Sequence, residues 1–149
     1  MAIARGAGTE IIRSAWFEDV DSTATVLIFG EQHHIYTVLS IIVHARVIQA
    51  AGNYVQCNML GYDAKEGTTG QGHIIFHQDM NLYQTYVWND KFSFNGHEPT
   101  DFSGPMDNAT KQDAIADQGS STAQKLQIWT ENPADGFEVG ITYIDQNNA

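Results

Sequence analysis

Six histidines and one cysteine are the residues of this chain best suited to metal or nucleophilic chemistry. His73 and His77 are four apart, the spacing at which two zinc ligands share a helix face. The intervening Ile74-Ile75-Phe76 predicts a strand instead, where the pair would lie ~13 Å apart and could not share an ion. His33 and His34 are adjacent, so on a strand they face opposite ways, and only Glu31 is at hand to complete a ligand set. Cys57 could serve as a nucleophile with His44 or His73 as base. The alternation of Val55, Cys57 and Met59 puts that thiol on an apolar face, where a thiolate is disfavoured. His97 with Glu98 or Asp101 offers a histidine–carboxylate pair. Residues 67–72 are glycine-rich but lead into a strand and carry no Lys-Ser/Thr, so they read as a loop tip and not a phosphate cradle. No Gly-x-Ser-x-Gly elbow and no Asp-x-Asp-x-Asp-Gly calcium loop occurs. The expectation is no catalytic residue, no cofactor, no metal and no enzyme.

The elements that would position these residues are short apolar or alternating runs between turn residues, which read as strands. They fall at 25–29, at 35–48 (as one long strand or two with a bend), at 54–60, at 73–77 and at 82–88. Asn89-Asp90 reads as a turn leading to a return strand at 91–94. Residues 95–124 are polar and loop-like, with a short helix expected over 108–117. Leu126 and Ile128, the turn Asn132-Pro133-Ala134-Asp135-Gly136, and the alternating Phe137, Val139, Ile141 and Tyr143 predict a β-hairpin. Residues 1–14 have small residues, glycines and no periodic apolar face, and read as an extended arm preceding a single β-rich domain over 15–149. The predicted fold is all-β, an antiparallel β-sandwich or jelly-roll-like body with an extended N-terminal arm.

A length of 149 residues suits one domain with its own core. The formal net charge is −11. A surface this acidic repels phosphates, so neither nucleic acid nor an anionic membrane is an expected partner. No apolar run approaches the ~20 residues of a membrane helix. One cysteine makes no internal disulfide, and the N-terminus lacks a hydrophobic signal core; both point to synthesis in a reducing cytoplasm.

Residues 78–82, Gln-Asp-Met-Asn-Leu, resemble part of the mannose-binding repeat of monocot bulb lectins, Gln-x-Asp-x-Asn-x-Val-x-Tyr. Asp79 and Asn81 match the polar pair that would bond sugar hydroxyls. His77 stands at the Gln position, Tyr83 at the Val position and Thr85 at the Tyr position. The segment occurs once, where that fold carries three copies. It supplies an alternative reading as a carbohydrate-binding module, with Tyr83, Tyr86 and Trp88 as added aromatic surface.

The opening Met-Ala-Ile-Ala-Arg-Gly-Ala-Gly-Thr-Glu-Ile-Ile-Arg-Ser, running into a small acidic β body, resembles small virion structural proteins of tailed bacteriophages. The likeness lies in overall character, with a short arm, one cysteine and no catalytic motif. It implies a non-enzymatic capsid decoration (cement) protein that binds and stabilises the assembled shell. A homotrimer is implied, on the major capsid protein or another virion protein, at the outer capsid surface after synthesis in the host cytoplasm. A tail- or fibre-associated module fits the same features. Arg5, Ile11, Ile12 and Arg13 of the arm are the candidate contact residues.

Overall fold

The computed structural model describes residues 9–61, 72–98, 107–110 and 122–147. Among these, nine strands form: β1 (Thr9–Val20), β2 (Thr25–Phe29), β3 (His34–Val47), β4 (Tyr54–Leu60), β5 (Gly72–Asp79), β6 (Thr85–Trp88), β7 (Phe92–Asn95), β8 (Lys125–Thr130) and β9 (Gly136–Asn147). One sheet, A, runs β1-β9-β3-β6, with β7 also on β3; the other, B, runs β2-β8-β4-β5.

The pairings are nested. β1 pairs β9, β2 pairs β8, β3 pairs β6 and β7, and β4 pairs β5, all antiparallel. The chain is thus one long antiparallel ribbon whose tip is β4–β5. Successive rungs alternate between the sheets, and lateral pairing of β9 with β3 and of β8 with β4 completes them. This is jelly-roll topology, as the strand-rich pattern predicts.

Alternation supplies the core. β4 reads half-buried, buried, half-buried along its length, so Val55, Cys57 and Met59 point inward. They meet Val38, Ile41 and Val43 of β3, Val139 and Ile141 of β9, and Leu126 and Ile128 of β8 in one buried cluster. Each such aliphatic side chain contributes about 1.5–3 kcal/mol by leaving water.

Two expected chain reversals are corrected. The C-terminal turn joins strands that do not pair: β8 lies in sheet B and β9 in sheet A. Residues 131–135 form a corner between sheets, not a hairpin tip. Turn residues specify a change of direction, but both strands find better partners elsewhere. Likewise Asn89-Asp90 does not reverse the chain. β6 pairs Ile41 to His44 and β7 pairs Ile35 to Val38, both antiparallel, so they are two pieces of one interrupted strand. The break falls opposite the register shift between Val38 and Ser40 of β3.

Residues 9–14, the later part of the expected arm, lie in edge strand β1, where Ile11, Ile12 and Arg13 are in register with Asp145, Ile144 and Tyr143. Residues 1–8, including Arg5, lie outside the described residues, as do 111–117 of the expected helix.

Candidate functional site

The outer face of sheet A carries an apolar row made by register. Trp16, Gly140, Ile42 and Val87 are laterally aligned on β1, β9, β3 and β6. Trp16 is 54% exposed, Ile42 39% and Val87 50%. Gly140 floors a shallow depression between Trp16 and Ile42, walled by Ser14 and Thr142. Ser14 and Thr142 are linked through their hydroxyls at 3.3 Å. Beyond this polar row, Ile12 is 70% exposed and in register with Ile144. Of these residues only Ile12 is a contact candidate on sequence grounds. Trp16, Ile42 and Val87 are far apart in the chain, and only strand order unites them.

Arg13 and Ile11 alternate to the other face of β1. Arg13 Nε donates to Asp145 Oδ2 at 2.9 Å. This bond, and then the carboxylate's charge, raise the guanidinium pKa. His34 Nδ1 lies 2.6 Å from Asp145 Oδ1 and its Nε2 lies 3.3 Å from Glu31 Oε2. The Glu31 N–H donates to the Tyr36 hydroxyl at 3.1 Å. Burial, chiefly, pushes the Tyr36 phenol up to about 12. The cluster ties β1, β3, β9 and the β2–β3 turn together at one corner.

The other singled-out residues are dispersed. His33 sits in the β2–β3 turn at φ 66°. His44, on β3, lies 2.9 Å from Thr85 Oγ1 and stacks on Tyr83 at 6.5 Å. It belongs to sheet A, whereas Cys57 is buried on sheet B. Desolvation holds that thiol well above its ordinary pKa. His73 and His77 lie on β5 opposite Met59 and Gln56. His97 bridges to Ala123, Glu98 is buried, and Asp101 lies outside the described residues. Among the described residues no group of three or more His, Cys, Asp or Glu could hold a metal ion.

Asp79 ends β5, with Oδ1 3.8 Å from His77 Nε2. Asn81 Oδ1 accepts the Gly52 N–H at 3.0 Å, and the Asn81 N–H donates to Gln84 Oε1 at 2.8 Å. The Asn81 carboxamide oxygen thus braces one turn against another. Tyr86 packs on Phe76 at 5.2 Å and Trp88 on Phe92 at 5.3 Å, while Tyr83 is exposed.

No protein-family model and no curated protein matches the chain. Among solved structures, a chain of the Bacillus endospore appendages, described as a novel family of disulfide-linked pili, is 11% identical, with TM-score 0.47 over 100% of this chain and 97% of that one. A chain of infectious bursal disease virus, Gx strain, is 7% identical, with TM-score 0.46 over 96% of this chain and 34% of that one. A chain of the T13 particle of the same virus is 7% identical, with TM-score 0.39 over 94% of this chain and 36% of that one.

Proposed function

We propose that this chain is a non-enzymatic structural protein of a virion, of the capsid-decoration kind, and that it docks through the outer face of sheet A. The observation that carries the reading is the row Trp16–Gly140–Ile42–Val87, apolar across four strands and open to water. Apolar side chains aligned on one sheet face gain most when another surface covers them. β1 adds a second device. It is a twelve-residue edge strand, paired among the described residues only on its β9 side. An edge of this length presents unpaired backbone groups to a neighbouring chain. The resemblance in overall character to small tailed-phage virion proteins supports the finer reading of a shell-bound homotrimer. Ile11, Ile12 and Arg13 belong to this edge strand, and Arg5 precedes it in the chain. The acidic body keeps the free protein soluble until it is captured.

Solution mass, by size-exclusion chromatography with light scattering, tests this. The expected result is a compact oligomer that becomes monomeric in an Ile42→Thr/Val87→Thr double variant with unchanged circular dichroism. Both substitutions keep β-branched residues on the strand and remove apolar surface. A monomer that also fails to sediment with assembled shells overturns the proposal.

A further inference from the structure

The outer face of sheet B has a different chemistry. Three side chains at its centre are carboxamides, Gln56 and Asn58 on β4 and Gln127 on β8. Gln56 is in register with Trp129 of β8 on one side and His77 of β5 on the other. Asn58 is in register with Gln127. With strands ~4.8 Å apart, the Trp129 and His77 backbones flank the amides at a separation of ~10 Å. We propose that this face is a binding platform for a neutral saccharide, independent of the docking face on sheet A.

Pyranose recognition asks for two things at once. Hydroxyls need partners that both donate and accept, and a carboxamide does both from one side chain. The apolar C–H face of the ring needs a flat aromatic surface. The carboxamides and the half-buried Trp129 share this face, and the His77–Gln56–Asn58 part of it is fixed before any ligand arrives. His77 Nδ1 donates to Gln56 Oε1 at 2.8 Å, and Gln56 Nε2 donates to Asn58 Oδ1 at 3.2 Å. The Tyr54 ring packs on the His77 imidazole at 4.4 Å. The Gln56 and Asn58 amides are thus oriented by one chain of bonds that starts at His77, which lowers the entropy lost on binding.

Charge selects the ligand class. The aligned rows Trp129–Gln56–His77 and Val26–Gln127–Asn58–Ile74 contain no Asp, Glu, Lys or Arg. The charged residues of this face stand in the rows on either side, Lys125 opposite Leu60 and Asp79 opposite Tyr54. On a body of net charge −11 a sialylated or sulfated glycan would be repelled. Asp79, beside His77 at the rim, can accept from a hydroxyl at the end of a bound ring. This platform differs from the lectin-like pair, because the Asn81 carboxamide is turned to Gly52.

The test is a printed panel of neutral and sialylated oligosaccharides, followed by titration of the best neutral ligand into the isotopically labelled full chain. The expected result is binding to neutral glycans only, with shifts in the side-chain amide signals of Gln56, Asn58 and Gln127. A Gln56→Ala/Gln127→Ala variant should bind at least about tenfold more weakly with an unchanged melting temperature. Asn81→Ala and Ile42→Thr/Val87→Thr should bind as the parent does. If the double alanine variant melts early, the amide shifts of the parent chain alone decide. No binding to the panel, preference for sialylated glycans, or shifts confined to other residues overturns the proposal. So does a contact that proves to be a second copy of this chain seated on the same face. None of these outcomes bears on the docking face of sheet A, which the solution mass reports separately.

Discussion

The indole of Trp16 lies over Gly140, in the space a side chain there would need. A Cβ built on Gly140 would sit 2.7 Å from Cε3 and 2.8 Å from Cζ3 of that ring. The aromatic ring shields a glycine backbone at the centre of the sheet, where the missing side chain would otherwise weaken the strand. Gly140→Ala should therefore push Trp16 outward and cost about 1–2 kcal/mol in urea unfolding. In a Trp16→Ser background the same substitution should cost almost nothing, because the clash is gone. Equal costs in the two backgrounds would show that the ring does not rest there.

Asp135 holds the corner that the turn residues alone would make a hairpin tip. It is buried, and Oδ1 accepts the Gln49 N–H at 2.7 Å and Asn53 Nδ2 at 3.1 Å. Oδ2 accepts the Asn132 N–H at 3.1 Å. One carboxylate thus joins the β8–β9 corner to the β3–β4 corner. Asp135→Ala strands these donors and should cost about 2–3 kcal/mol, whereas Asp90→Ala, at an exposed position, should be near neutral. The urea midpoint should fall with an unchanged slope. A midpoint equal to that of Asp90→Ala would remove the corner role.

What the sequence makes legible is whatever depends on neighbours along the chain. Val55, Cys57 and Met59 announce a half-buried strand, and β4 occupies the expected residues. Thr25–Phe29 is found where its apolar run places it. What it does not show is lateral order. Phe137 and Ile128 alternate as hairpin partners would, yet their strands belong to opposite sheets. The same blindness hides both surfaces. Trp16, Ile42 and Val87, or Gln56, Gln127 and His77, become neighbours only after strands distant in sequence are set side by side. Arg13 stands out in the sequence only as a charge near the N-terminus. Its partner Asp145 lies 132 residues away, and nothing local links them.

That Arg13–Asp145 contact should govern how firmly β1 is held. Asp145 also faces His34, so Asp145→Ala removes the anchor of two side chains on two strands. Hydrogen exchange should then quicken at the β1 amides more than at the β3 amides, which have pairing on both sides. Arg13→Ala should give the same pattern at smaller size, since its guanidinium is solvent-exposed and screened. Uniform acceleration across both sheets would mean the contact supports the whole fold and not the edge strand.

Alkaline pH should destabilise the protein through groups that burial keeps protonated. Desolvation raises the Cys57 thiol and, to about 12, the Tyr36 phenol. In the unfolded chain these groups titrate near ~8.5 and ~10. Above pH ~8.5 the unfolded state gives up the Cys57 proton while the native state keeps it. The unfolded state then binds fewer protons, so stability falls as pH rises, at up to about 1.4 kcal/mol per pH unit for one group. The Cys57 contribution is fully present below pH ~8.5. Tyr36 adds a second decline between pH ~10 and about 12. Urea unfolding from pH 7 to 11 measures both. Cys57→Ala should lower stability at pH 7, through the small cavity it leaves, yet flatten the decline between pH 8.5 and 10. Tyr36→Phe should leave that first decline intact and make the second less steep, since Cys57 and the Tyr143 phenol, also raised by burial, still contribute there. If Cys57→Ala keeps the parent slope, the thiol is not the group that titrates there.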